Sequence, residues 1–182
     1  MKEPSTGVSF ESRFVEQLER LRDNNGAMAA LRRGVGKPPG TAAEMHRYVI
    51  PWLGENDSGW NDDRFYLVAS LFSLWHQGTT NLTGSVPFNL GASYQRLADE
   101  SGSTEKRFVA LLNSHRDDLP HHLRYTVSIL RSKGVPINWT QLLADLRGWD
   151  WRSRSVQRDW ARGFWGGTPA SDLAGEPKLS GE

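Results

Sequence analysis

The sequence predicts an all-α protein, a single compact bundle of about eight helices with no sheet. Three observations carry that reading. Apolar residues recur three and four apart through almost every segment, the spacing of a helix face. Residues 65–75, inside "DRFYLVASLFSLWHQ", contain no charge, and a helix apolar all round belongs in a core. No alternating strand pattern runs longer than "VPIN", and no internal repeat is present.

The first helix places Phe10, Phe14, Leu18 and Leu21 on one face. Asn25 or Gly26 starts a short helix, "AMAALRR", closed by Gly34. "GVGKPPG" is a loop that lacks the GxxxxGK[ST] pattern of a phosphate-binding loop. Thr41 and Glu44 suit a capping box opening "AAEMHRYVIPWL", which Pro51 stops or kinks. Asn61 or Asp62 caps the central helix. Residues 78–89 form the longest internal loop, and Asn89 caps "LGASYQRLADE". A helix over 105–115 follows "SGST". Asp118 caps and Pro120 opens the next helix, which ends at Gly134. Asn138 caps "WTQLLADLRGW", and "SRSVQRDWARGFW" is the last helix. The folded domain is therefore expected over 10–165, with 166–182 a disordered tail by its small, polar, proline-spaced composition.

Composition excludes several classes. Cysteine is absent, which removes disulfides, thiolate nucleophiles and sulfur-based zinc sites and suits a cytoplasmic protein. No apolar run suggests a signal peptide or a membrane span. "NLT" at Asn81 is a formal glycosylation sequon that has no meaning without secretion. No serine sits in a G-x-S-x-G elbow, and Asp62–Asp63 and Asp117–Asp118 occupy helix starts, where negative charge suits the dipole. A metal-dependent hydrolase using His115, Asp118 and His122 is the enzymatic alternative, since Asp118 and His122 are four apart. Pro120 favours Asp118 as a cap instead. The sequence argues against an enzyme, and no cofactor or metal is expected.

The net charge is only +1, yet it is unevenly spread. Residues 20–47 carry six basic and two acidic side chains, residues 48–103 two and six, and residues 104–162 eleven and six. Such asymmetry points to an anionic partner met by particular faces. Arginine outnumbers lysine 17 to 5, and its planar fork suits phosphate. In the last helix, Arg154, Arg158 and Arg162 recur every four residues and lie about 200° from Val156, Trp160 and Phe164. A tryptophan edge there holds a guanidinium stripe. Arg124 and Arg131 stack on one line roughly 90° from the Leu123, Val127 and Leu130 face, with Ser128 between them. Trp52, Trp75, Trp139, Trp149 and Trp160 fall on apolar positions and read as core, whereas Trp151 and Trp165 have no clear placement.

The order of "ALRRG", "RFVALL", "DLPHHLRYTVSILRSKGVPINWTQLLADL" and "GWDWRSRSVQRDWARGFW" resembles the CasB family, the small subunit of the type I-E CRISPR surveillance complex Cascade. The resemblance spans roughly residues 10–165. It implies a non-catalytic, all-helical subunit, present as a head-to-tail pair among the other Cascade subunits. Such a subunit stabilises guide RNA and target DNA and holds the displaced single strand. By motif, the resemblance assigns nucleic-acid contacts to Arg32, Arg33, Lys106, Arg107, Arg116, Arg124, Arg152 and Arg154. Helical geometry adds Arg131 and Arg158. The alternative is a protein scaffold whose basic faces meet partner subunits. In that reading the acidic middle, 48–103, meets a basic stretch of a second copy.

Overall fold

The uncharged stretch forms most of α4 (Trp60–Trp75), and the burial of eleven of its sixteen residues makes it the axis of the fold. The structure, a computed structural model, describes residues 9–54, 59–78, 84–97 and 102–166. The sequon at Asn81, residues 79–83 of the long 78–89 loop and the tail from 167 lie outside them. Among the described residues there are nine α-helices and no strand.

Around α4 pack α1 (Phe10–Leu21), α2 (Asn25–Arg32), α7 (Leu119–Ser132) and α8 (Trp139–Arg147). Polar contacts fix their directions. Arg64, near the start of α4, lies 3.5 Å from Glu11 and donates to the Leu143 carbonyl at 2.8 Å. At the other end His76 lies 3.9 Å from Glu19, and Phe72 meets Trp139 edge to face. Helix α1 therefore runs parallel to α4 and α8 antiparallel. Helix α7 also runs parallel: Arg116, just before it, stands over Trp60, while Arg131 at its end donates to the Gln77 carbonyl.

A second group joins α5 (Leu90–Gln95), α6 (Ser103–Asn113) and α9 (Ser155–Trp165). Phe108 of α6 stacks on Phe164 of α9 at 4.4 Å and meets Tyr94 of α5 at 5.0 Å. One cluster of buried side chains runs from Phe14 through α4 to Phe164, so the two groups share a core. The short α3 (His46–Val49) lies between two 3₁₀ turns, and Pro51 in the second ends it.

Asn89 and Asn138 cap as expected, accepting from the backbone N–H of Ala92 and Gln141. Helix α7 closes on Gly134, whose φ of +66° lets Gly134 and Val135 donate to the Arg131 and Leu130 carbonyls. Other expectations are corrected. Thr41 donates its hydroxyl to the Pro38 carbonyl, closing the loop before it, so no capping box forms with Glu44. Gly59, not Asn61 or Asp62, occupies the N-cap of α4, and Asp62 and Asp63 fall in its first turn. Asp118 holds the N-cap position of α7 without a side-chain cap bond. Helix α5 stops at Gln95, because Arg96 and Leu97 turn back onto the Ser93 and Tyr94 carbonyls.

Candidate nucleic-acid interface

Two segments far apart in sequence lie side by side at the end of α6. The Trp149 indole donates to the Ser114 carbonyl at 3.2 Å, Arg116 pairs with Asp150 at 2.9 Å, and Arg154 donates to the Leu112 carbonyl. Residues 149–154 are thereby fastened along residues 112–116. This seam gathers Arg116, Arg152 and Arg154, with Arg158 in the first turn of the helix beyond. Arg152 and Arg158 are exposed, and their guanidiniums have no ion pair or hydrogen bond among the described residues.

The last helix corrects the three-arginine stripe. Arg154 is its N-cap, at φ +52°, and so stands outside the helical face. It is the one non-glycine residue with positive φ among those described. Arg162 pairs with Asp159 three residues before it. Arg158 alone of the three keeps an uncommitted head. The apolar edge is as expected: Val156, Trp160 and Phe164 are buried, and the Trp160 indole donates to Asp145 at 2.7 Å.

Arg116 belongs to a second gathering as well. A cavity of about 530 Å³ opens between the 34–39 loop, the start of α4 and the start of α7. Lys37, Arg116, Arg124 and His121 line it from three elements, with Asp63 and Asp117 opposing them. Burial raises the Asp63 pKa, and neighbouring Asp62 raises it further, against the lowering pull of Arg116. The Arg124 guanidinium lies against Gly36, where an added Cβ would stand 3.1 Å from Nη1. Gly36 is at φ +76°, a conformation that favours glycine, whereas the exposed Arg124 head could shift to admit a Cβ.

The remaining candidates lie apart from these gatherings. Lys106 and Arg107 sit on the exposed face of α6, with Arg107 over the Tyr125 ring at 5.5 Å. Arg33 is exposed beyond the end of α2, whereas Arg32 is half-buried with its Nε out of reach of any partner. Arg131 is committed to the Gln77 carbonyl. Sequence reasoning missed Lys37, which sits in a loop with no helical period, and Trp60, whose ring carries Arg116 at 5.7 Å. Among the described residues, no three His, Asp or Glu side chains come together as a metal site. No helix there is long and apolar enough to cross a membrane.

The family model described as CRISPR-associated protein Cse2 matches residues 27–165. The chain belongs to the Cse2 family. The curated Cse2 protein of Thermus thermophilus is 35% identical over 168 residues, covering 87% of this chain and 92% of its own. The crystal structure of M. ruber CasB superposes with a TM-score of 0.73 at 28% identity, over 93% of this chain and all of the other. A chain of a CRISPR RNA-guided surveillance complex matches at 28% identity with a TM-score of 0.71, over 86% and 92% of the two chains. The Cse2 match begins at Ala27 in α2 and ends at Trp165, so it contains every candidate residue, from Arg32 to Arg158.

Proposed function

We propose that this Cse2-family chain is a non-catalytic subunit of a CRISPR Cascade complex, with residues 10–165 as its folded unit. Its basic groups stabilise guide RNA and target DNA and hold the displaced strand by their phosphates. A displaced strand that rejoins its complement would collapse the R-loop. Arginines fixed on a rigid helical surface oppose this without reading sequence, since the guide RNA reads the bases. The observation that carries the reading is the seam: one junction fastens separate segments and leaves Arg152 and Arg158 exposed, with the neighbouring acids Asp150 and Asp159 paired to Arg116 and Arg162 instead. The likeness to a chain of an RNA-guided surveillance complex supports it.

The exposed apolar side chains Ile50, Val86 and Phe88 favour protein contacts too, with other subunits or a second copy. They lie outside the basic groups, so both kinds of contact can operate together.

Co-expression with a guide RNA and Cascade subunits should yield a single complex containing this chain. In filter binding of single-stranded DNA, log K should fall with log salt at about −0.7 per phosphate neutralised. Replacing Lys37, Arg124, Arg152 and Arg158 with Ala should flatten that slope. An unchanged slope in the quadruple variant would remove these residues from the interface.

A further inference from the structure

Trp151 is 55% exposed, although the other seven tryptophans of the chain all lie in the core or packed against it. Its position is nonetheless rigid. A Cβ built on Gly148 would stand 2.9–3.1 Å from Cε3, Cζ3 and Cδ2 of the indole. Three ring atoms equally near one point mean that the indole lies face-on against the glycine. The backbone is pinned on both sides: Trp151 N–H donates to the Gly148 carbonyl at 3.1 Å, and Arg154 N–H donates to the Trp151 carbonyl at 2.9 Å. The seam contacts then fasten this double turn to α6.

The result is a flat aromatic ring with one face on backbone and the other towards solvent. Its surroundings are cationic. Arg152 and Arg158 are exposed with unpartnered heads, while the acids nearby are spoken for, Asp150 by Arg116 and Asp159 by Arg162. No other large exposed apolar side chain belongs to residues 148–158, so the ring is not part of an apolar protein-binding patch in that segment.

We propose that Trp151 is a stacking platform for one unpaired nucleobase of a single strand, with Arg152 and Arg158 holding the flanking phosphates. This deepens the nucleic-acid reading above and rests on it. Every base has a π face, so a stacking platform stays sequence-blind, as phosphate contacts do. Prior immobilisation of the ring removes the ordering cost that a mobile aromatic would bring to binding.

The test measures binding of the full-length chain, at low salt, to oligothymidylate and to an abasic oligonucleotide of equal length and charge. Trp151→Ala should weaken binding of the base-bearing strand about tenfold, within the range for one stacked base. It should leave the abasic strand and the salt slope unchanged, and Trp151→Phe should retain part of the affinity. Equal loss on both strands would make Trp151 a structural residue and overturn the proposal, as would unchanged binding in a folded Trp151→Ala variant. In either case the interface reading would survive. Failure of the wild-type chain to bind either strand would overturn both.

Discussion

Gly91 of α5 sits so close to Trp160 of α9 that a Cβ added to it would lie 1.8 Å from the Trp160 carbonyl oxygen. The obstacle is backbone, which cannot rotate away. Gly163 repeats the arrangement in the other direction, with the Asn89 Oδ1 at 2.4 Å and the Ala92 nitrogen at 2.7 Å from its ideal Cβ. The two glycines let α5 and α9 cross in near contact, and that crossing positions the helix that carries Arg158. Gly91→Ala should therefore destabilise the protein by about 3 kcal/mol or more, despite the better helix propensity of alanine. Urea denaturation checks it, and a variant within about 0.5 kcal/mol of wild type would mean the helices can separate freely.

Arg154 occupies a left-handed backbone conformation that glycine would adopt without strain. The side chain offsets this by reaching the Leu112 carbonyl. Arg154→Ala loses that bond and keeps the strain, whereas Arg154→Gly loses the bond and relieves it. The glycine variant should be more stable than the alanine variant by about 1 kcal/mol. Thermal melts of the pair decide it; an alanine variant equal to or more stable than the glycine one would show that the backbone there is not strained.

The sequence made the helices legible because their apolar periodicity is the force that buries them: Leu123, Val127 and Leu130 line up in the text as they do in the core. Side-chain caps at Asn89 and Asn138 were equally legible, being local. What escaped was set by tertiary contact. Gly59 and Arg154 start helices through backbone geometry that no local rule assigns to them, and Thr41 turned to Pro38 rather than to a helix. The site was legible as a list of arginines but not as an arrangement. The bonds from Arg154 to Leu112, from Arg116 to Asp150 and from Arg131 to Gln77 cross 34 to 54 residues, and they decide which heads remain uncommitted.

Burial pushes the His76 pKa from 6.5 down to about 4, and the Arg22 charge adds to the effect. Its ring lies 4.2 Å from Phe72 and 4.9 Å from Trp75, and the Glu19 carboxylate at 3.9 Å is itself drawn on by Arg22. The folded protein thus keeps His76 neutral where the unfolded chain would protonate it. The stability this contributes is complete above pH 6.5 and is lost as pH falls towards 4. The total loss should be on the order of 1–2 kcal/mol after solvent screening. Glu19, Asp63 and Asp145 have raised pKa values and act in the opposite sense at lower pH. The clean window is therefore about pH 6.5 to 5.5. His76→Phe, which keeps the ring stack, should flatten the stability profile across that window; a profile identical to wild type would exclude His76 as its source.

Arg124 and Arg131 share a line on α7, yet their heads have different employment. Arg124 is exposed at the cavity with Lys37 and Arg116, and no acid or carbonyl among the described residues binds its guanidinium. Arg131 is half-buried, bonds the Gln77 carbonyl and joins the end of α7 to the end of α4. Arg124→Ala should leave the melting curve unchanged and reduce the magnitude of the salt slope for single-stranded DNA by about 0.7, one phosphate's worth. Arg131→Ala should do the reverse, costing about 1 kcal/mol of stability from the lost bond with little change in slope. Filter binding at several salt concentrations, run beside urea denaturation of both variants, distinguishes the two roles. If Arg131→Ala alone changed the slope, the uncommitted head would not be what marks a phosphate contact on this helix.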